Sequence, residues 1–243
     1  MAFENSDALH EHEAHADGSQ AHKLNWLRAG VLGANDGIVS VAAVVVGVAG
    51  ATTEAGPIIL AGTAAVVGGA ISMALGEYVS VSSSADAQRA LIEKEKWELA
   101  NLPEQELEEL TQIYQDKGLQ RETAEKVAQE LTAHDALGAH LEAELHLDED
   151  EVVSPWSAAF ASAVAFLVGA ILPFLTAVFL PPALKVPVTF VAVLIALAIT
   201  GAAGAKLGGA RVLPATLRVV IGGALALIVT FLIGALLGTS GAV

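Results

Sequence analysis

The sequence contains no cysteine, and charged residues occupy only 16 % of its 243 positions. The absence of thiols excludes disulfides and thiolate metal sites, so a metal must be bound by oxygen, by imidazole or by one of the two methionines, Met1 and Met73. A soluble domain usually has about 25 % charged residues. The shortage of charge, together with 54 % hydrophobic residues and a mean hydropathy of +0.59, indicates a polytopic membrane protein.

Acidic residues are missing from the last part of the chain, since no Asp or Glu follows Glu151. The net charge of −15 arises mostly between Asp86 and Glu151, which hold 19 acids and 6 Lys or Arg. A strongly acidic segment repels nucleic acid and attracts cations. We therefore expect no nucleic-acid partner, and we expect this segment to bind cations.

An apolar leader is missing from residues 1–22, which are polar and contain His10, His12, His15 and His22. No cleavable signal peptide is predicted, and the first span would itself direct insertion. These residues are expected to form a mobile tail. Weak collection of metal by its imidazoles is the alternative.

Five apolar runs predict five transmembrane helices, because each exceeds the roughly 18 residues that cross a bilayer core of about 30 Å. No helix breaker follows the second run, so that helix is expected to continue into water as far as Leu99. The fold class is an all-α membrane protein with a helical module inserted between spans two and three. The runs cover residues 27–51, 57–81, 156–180, 183–207 and 213–237.

Within the inserted module, apolar spacing and helix breakers predict three helices, over residues 103–118, 121–133 and 135–147. Pro103 begins the first of them and Gly118 ends it. The predicted regions are therefore a polar tail (1–22), spans one and two (23–85), an acidic module (86–152) and spans three to five (153–243).

The basic residues predict the orientation of the chain. If the N-terminus is cytoplasmic, 11 of the 12 Lys and Arg lie on the cytoplasmic side and only Lys185 lies outside. The tail and the acidic module are therefore expected in the cytoplasm and the C-terminus outside. A compact tail without targeting features favours a bacterial inner (plasma) membrane.

An acid lies inside the first span, where Asp36 follows Asn35 and precedes Gly37. An Asp at the centre of a membrane helix costs about 2.5 to 3.5 kcal/mol and usually handles an ion or a proton. In the second span, Met73 and Glu77 are four residues apart and share a helix face. A thioether beside carboxylates suits Fe²⁺ or Mn²⁺ better than Mg²⁺. The alternatives are that Met73 only packs and that Glu77 is hydrated at the interface.

A carboxylate withdrawn from water would also have a raised pKa, because desolvation disfavours its charged form. Metal binding requires the deprotonated form, so metal and proton would compete for Asp36. This competition is the minimal requirement of a metal/proton antiporter. The sequence has no nucleotide-binding motif, which argues against an ATP-driven pump.

Two pairs of carboxylates in the acidic module are three residues apart: Glu95 with Glu98, and Glu106 with Glu109. His140 and Glu144 are four residues apart. Such spacing places two ligands on one helix face, as in carboxylate-bridged metal bundles. The alternative is a solvated acidic face, since such pairs arise often by chance.

Two segments resemble the vacuolar iron transporter family: GANDGIVS in the first span, and AISMALGEYVSVSSSADAQRALIEKEKWEL, which begins in the second. The resemblance extends from about Trp26 to the C-terminus. It implies a five-span homodimer that exports Fe²⁺, and often Mn²⁺, from the cytosol in exchange for protons. It further implies a path at the dimer interface lined by Asp36 and Met73. From its position in the second span, we expect Glu77 near the cytoplasmic entrance of that path. The protein would be a transporter and not an enzyme.

The same resemblance implies that glutamates of the acidic module bind metal, with Fe²⁺, Mn²⁺ or Zn²⁺ as substrate and no permanently bound cofactor. His140 stands where plant members of the family have a Met, and an imidazole can also bind iron. The implied ligands are Glu95, Glu98, Glu106, Glu109 and Glu144, together with His140.

Two other functions remain open on the sequence: a manganese-dominant exporter, and a membrane-anchored metal buffer or sensor that does not transport. A ferritin-like oxidase is disfavoured, because the module lacks the paired Glu-x-x-His motifs of that fold.

Overall fold

The computed structural model describes the backbone of residues 18–147 and 154–240, and the side chains of those residues from position 30 onward. The side chains of the predicted polar tail, including its histidines, lie outside the described residues. Seven α-helices are present in these ranges, and a π-helical turn, Leu141–Leu145, follows the fourth. The helices are α1 (Gly18–Ala51), α2 (Ala55–Asn101), α3 (Pro103–Asp116), α4 (Arg121–His140), α5 (Pro155–Phe179), α6 (Pro182–Leu207) and α7 (Val212–Thr239).

Five of the helices (α1, α2, α5, α6 and α7) are long and apolar enough to cross a bilayer. The described residues therefore confirm the predicted all-α fold and five candidate membrane spans. Helix α2 is continuous over 47 residues, so the expected extension of the second span as far as Leu99 is also confirmed. The cytoplasmic position of the helices between spans two and three stays a prediction.

The chain divides into two compact units. The first, which we call the membrane unit, runs up to Glu77 and resumes at Trp156. The second, the acidic unit, is Tyr78–Pro155. Each unit has its own packed interior, and each contains one group of the predicted site residues.

Helix α1 is the centre of the membrane unit, because two of its faces are buried against different neighbours. Val41 and Val45 pack with Phe166 of α5 and with Ile58 of α2. Ile38, Ala42 and Val46, spaced four residues apart, pack with Val193 and Leu197 of α6 and Leu227 of α7. A helix apolar on two faces is expected where it is surrounded by other helices.

Two glycines bring α1 and α5 into backbone contact. A Cβ atom added at Gly37 would overlap the carbonyl oxygen of Phe166, and one added at Gly169 would overlap the carbonyl oxygen of Ala34. Association of membrane helices depends on close packing of this kind, since the lipid supplies no hydrophobic drive between helices. The lack of a side chain at Gly37 and at Gly169 therefore allows α1 to pack directly against the backbone of α5.

Two local signals define the helices of the acidic unit. Helix α3 ends at Asp116 and is capped by Gly118, whose φ is +104°. The amides of Gly118 and Leu119 donate to the carbonyls of Gln115 and Tyr114, which closes a Schellman motif. Helix α4 contains a kink at Asp135, whose φ of −156° is not helical. This kink confirms the predicted division between the segments 121–133 and 135–147.

The side chain of Asp135 explains why the chain resumes its helix there. Its Oδ1 atom accepts a hydrogen bond from the amide of Gly138 at 3.0 Å, three residues later, as at a helix N-cap. The small core of the unit contains Leu110 of α3, Ala128 of α4 and Ala143 of the π-helical turn. This core fixes the end of α4 and the π-helical turn relative to α3, which matters for the site below.

Candidate metal centres

Six predicted ligands lie within electrostatic range of one another in the acidic unit, and we call them the acidic cluster; short distances join Glu95, Glu106, Glu144 and His140, whereas Glu109 is exposed. They come from the last turns of α2, from the first two turns of α3, and from the junction between α4 and the π-helical turn. Glu95, Glu106 and His140 are almost fully buried, although acids and imidazoles normally remain exposed unless paired. The cluster consists of Glu95, Glu98, Glu106, Glu109, His140 and Glu144.

His140 lies at the centre of this cluster. Its Nδ1 atom is 3.1 Å from Oε1 of Glu95, 3.7 Å from Oε2 of Glu106 and 3.9 Å from Oε2 of Glu144. One ligand atom from each of Glu95, His140 and Glu144 lies within 4.8 Å of the other two. Ligands about 2.1 Å from a tetrahedral cation are about 3.4 Å apart. These atoms are therefore spaced as the donors around one divalent ion would be.

Four atoms of the cluster are buried without a hydrogen-bond partner among the described residues. They are Oε1 of Glu95, Oε2 of Glu144 and both ring nitrogens of His140. The 3.1 Å approach of Glu95 to His140 is within ion-pair distance, but it does not have hydrogen-bond geometry. A buried polar atom left unsatisfied costs about 1 to 3 kcal/mol. Oε1 of Glu95, Oε2 of Glu144 and Nδ1 of His140 fit a bound cation, which would satisfy these three atoms. Nε2 of His140 lies on the other side of the ring and would not bind the same ion.

The electrostatics of the cluster also favour a cation. Burial raises the pKa of Glu106, and the nearby carboxylates of Glu109 and Glu98 raise it further. Burial and Glu109 likewise raise the pKa of Glu144, while burial lowers the pKa of His140. Glu98 and Glu109 therefore act on the same small volume as the three buried groups. A bound cation would relieve the repulsion and the desolvation together.

Sequence reasoning missed two ion pairs of the acidic unit. The Nζ atom of Lys94 donates to Oε2 of Glu98 at 2.6 Å, a contact that their spacing of four residues could have predicted. Arg121 donates to both carboxylate oxygens of Glu108, at 2.8 and 2.7 Å. That pair joins α3 to α4 and explains why Glu108, unlike Glu106 and Glu109, is not part of the cluster.

The second site lies in the membrane unit, where the three residues predicted for the transport path meet. Asp36, Met73 and Glu77 line one cavity of about 390 Å³. Asp36 and Met73 also line a second cavity of about 400 Å³. A carboxylate and a thioether from different helices thus converge on the same space, with Phe166 forming part of its wall.

The side chain of Asp36 is exposed on the single chain, which differs from the expectation of a carboxylate withdrawn from water. The reason is that Asp36 faces the open cavity and not the two buried faces of α1. Its Oδ1 atom accepts a hydrogen bond from the hydroxyl of Ser40 at 2.5 Å. Ser40 is one turn later on the same helix, so the spacing could have identified it.

Next to Asp36, Asn35 is held from another helix. The hydroxyl of Thr200 in α6 donates to Oδ1 of Asn35 at 2.5 Å. No sequence signal connects two residues that are 165 positions apart. Asn35 also lines the second cavity, beside Asp36 and Met73.

Five candidate spans form a bundle in which an acid and a thioether line one cavity, and the acidic unit buries carboxylate and imidazole atoms without a hydrogen-bond partner among the described residues. These are the features of a membrane protein with candidate metal sites. Comparison with known proteins gives the family. The profile of the VIT family matches residues 27–235, and the chain belongs to that family.

Relatives of known name agree with this assignment. The chain is similar to a vacuolar iron transporter of Acanthamoeba castellanii, with 45 % identity over 210 residues, which are 86 % of this chain and 77 % of the relative. It is also similar to vacuolar iron transporter homolog 2 of Oryza sativa subsp. japonica, with 35 % identity over 89 % of this chain and 93 % of the relative. Vacuolar iron transporter homolog 2.1 of Arabidopsis thaliana is 36 % identical over 86 % of this chain and 80 % of the relative.

Proposed function

We propose that this protein is a divalent metal/proton antiporter that exports Fe²⁺ from the cytosol, with Mn²⁺ as a second substrate. The observation that carries the proposal is the convergence of Asp36 and Met73 on one cavity in a chain of the VIT family. The carboxylate supplies a hard oxygen ligand and the thioether a soft sulfur ligand. Mg²⁺, which avoids sulfur, would be a poor substrate for such a pair.

Proton coupling follows from the chemistry of Asp36. A carboxylate can bind a metal ion or a proton, but a proton on the ligand atom prevents metal binding. Release of the ion on the side with more protons is therefore coupled to uptake of a proton by the same group. Glu77, which lines the same cavity, would guide the cation to Asp36.

The acidic cluster would collect the metal before it enters the path. Several of its buried oxygen and nitrogen atoms have no hydrogen-bond partner among the described residues. This supports the role, because a bound cation would stabilise them whether or not transport is taking place. The acidic unit would then lie in the cytoplasm, where export requires the ion to be gathered.

A second copy of the chain would complete the path. The exposure of Asp36 on the single chain supports this proposal, because an acid within a membrane span normally faces protein or water and not lipid. In a twofold dimer the two Asp36 side chains would belong to one self-complementary interface.

The test is reconstitution of the full chain in lipid vesicles with an imposed pH gradient, comparing wild type with Asp36→Asn. We expect the gradient to drive Fe²⁺ transport by the wild type and not by the variant. Transport that ignores both the gradient and the substitution would refute antiport through Asp36. Mn²⁺ in the same vesicles tests the manganese-dominant alternative, which requires fast Mn²⁺ and slow Fe²⁺ transport.

The preassembled acidic cluster favours one competing function, a membrane-anchored metal buffer or sensor. In that case cells carrying Asp36→Ala would tolerate excess metal as well as wild type does. Loss of Glu106 and Glu109 would then abolish tolerance. If the protein is an antiporter, Asp36→Ala should reduce metal tolerance more than the loss of Glu106 and Glu109 does.

A further inference from the structure

The bond between Thr200 and Asn35 joins α6 to α1 one residue before Asp36. Thr200 and Asn35 are both partly buried, and Asn35 lines the cavity that Asp36 and Met73 share. Several other threonine hydroxyls of the bundle, such as that of Thr230, donate to carbonyls of their own helix, although that of Thr189 donates to Thr176 of α5. The Thr200 hydroxyl is 3.3 Å from the carbonyl of Leu197 in its own helix. Its shorter contact, at 2.5 Å, is with a side chain on the helix that carries the proposed ion ligand.

Three consecutive residues of α1 point in three different directions. Asn35 contacts α6, Asp36 faces the cavity, and Gly37 lies against the backbone of α5. Successive side chains of an α-helix are about 100° apart around its axis. The direction of Asp36 is therefore determined once its two neighbours are fixed.

The two neighbouring contacts fix different degrees of freedom. Gly37 permits α1 to approach α5 closely, but contacts between small residues still allow a helix to rotate or slide slightly. A hydrogen bond weakens steeply when its length or angle changes. The Asn35–Thr200 bond thus specifies the rotation of α1 more sharply than the apolar packing does.

We propose that Asn35 and Thr200 are positioning residues that direct the Asp36 carboxylate towards Met73. This inference rests on the proposed function, in which Asp36 and Met73 bind the same ion. Loss of the bond would leave Asp36 present but misdirected, so the ion would bind less tightly. A role confined to folding would instead reduce the amount of active protein and leave the apparent affinity unchanged.

The experiment measures Fe²⁺ uptake against Fe²⁺ concentration in vesicles that contain the full chain. Thr200→Val removes the hydroxyl with little change in shape, and Thr200→Ser keeps it. Thr230→Val is the matched control, since it removes a hydroxyl that bonds only within its own helix. We expect Thr200→Val to raise KM about fivefold, the effect of losing one ordinary hydrogen bond. Thr200→Ser and Thr230→Val should retain the wild-type KM.

Asn35→Ala removes the acceptor from the other helix and tests the same contact if Thr200→Val fails to insert. It should raise KM as Thr200→Val does, and the double variant should show no further increase, because both changes remove one interaction. A wild-type KM in either single variant, with only the maximal rate reduced, overturns the inference.

The Asp36→Asn variant separates the two possible failures. If Asp36→Asn transports Fe²⁺ as the wild type does, the proposed function is wrong. If Asp36→Asn is inactive while Thr200→Val behaves like Thr230→Val, only the positioning inference is wrong.

Discussion

The two candidate sites of this protein differ in how their polar atoms are satisfied. In the acidic cluster, buried oxygen and nitrogen atoms of Glu95, His140 and Glu144 have no hydrogen-bond partner among the described residues. In the membrane cavity, Asp36 is exposed and its carboxylate already accepts a hydrogen bond from Ser40. Under the proposed function, the first arrangement would stabilise a bound cation strongly and the second would allow a cation to exchange.

This difference matches the two tasks of a transporter. A group that collects an ion benefits from several preassembled ligands, whose mutual repulsion the ion relieves. A group on a transport path must bind well enough to receive the ion and weakly enough to release it. One carboxylate beside one thioether, in an open cavity, meets the second requirement better than the first.

The substitution Asp36→Asn is expected to have the largest effect, because it should abolish transport and leave metal binding by the acidic cluster intact. Transport should fall to the level of empty vesicles, because a neutral amide cannot alternate between a metal ion and a proton. Binding of Fe²⁺ to the acidic cluster, measured by titration of the purified protein, should remain at the wild-type affinity. If Asp36→Asn lowered both Fe²⁺ transport and Fe²⁺ binding to the cluster, the two sites would act as one functional unit.

Glu95→Gln should have the next largest effect. It removes a charge from a buried ligand 3.1 Å from His140, so the metal affinity of the cluster should fall at least about tenfold. Glu108→Gln is the control, since Glu108 is exposed and bonded to Arg121. The ligand assignment is wrong if both substitutions change the affinity equally.

A smaller effect, which changes gradually with pH, is expected on the stability of the metal-free protein. The pKa values of Glu106 and Glu144 are raised from 4.5, mainly by burial, so these acids keep their protons to higher pH in the metal-free protein than in an unfolded chain. Their contribution to the stability of the metal-free protein is therefore present below pH 4.5 and is lost as the pH rises through the raised values.

Metal affinity should change in the opposite sense over the same range. Binding requires both carboxylates to lose their protons, so affinity should rise with pH above about 4.5. The lowered pKa of His140 keeps the imidazole neutral and able to bind metal. Calorimetric titrations at several pH values, with the release of protons measured, would test this; a pH-independent affinity would contradict it.

The smallest effect concerns the choice of metal. His140→Met replaces a buried imidazole with a thioether, which suits soft ions better than hard ones. We expect the cluster to lose several-fold more affinity for Mn²⁺ than for Fe²⁺. Competition between the two ions for the purified protein measures this ratio. An unchanged ratio would mean that His140 does not contact the ion.

Much of the fold could be predicted because its signals are local. Apolar runs gave the five spans, and Pro103 and Gly118 gave the bounds of α3 within two residues. The kink at Asp135 follows from a side chain that caps the next helical segment. Each of these features depends on neighbours within a few positions of the chain.

The sites were predicted only in part. Spacing of three and four residues found the acids of the cluster, but spacing alone does not distinguish them from a solvated face. Glu108 is close in sequence to Glu106 and Glu109, yet it faces Arg121. Hydropathy likewise does not indicate which face of α1 remains open. The exposure of Asp36 and the contact of Asn35 with Thr200 therefore required the structure.

The π-helical turn Leu141–Leu145 has more residues per turn than the α-helix that precedes it. It separates His140 from Glu144, so it sets the angular phase between two ligands of the cluster. Deletion of Ala143 would change their separation from four residues to three, which keeps both side chains on one face of an α-helix but rotates the Glu144 carboxylate relative to the imidazole. The protein would then keep every charged ligand in an altered geometry, so we expect weaker metal binding in a titration against the wild type.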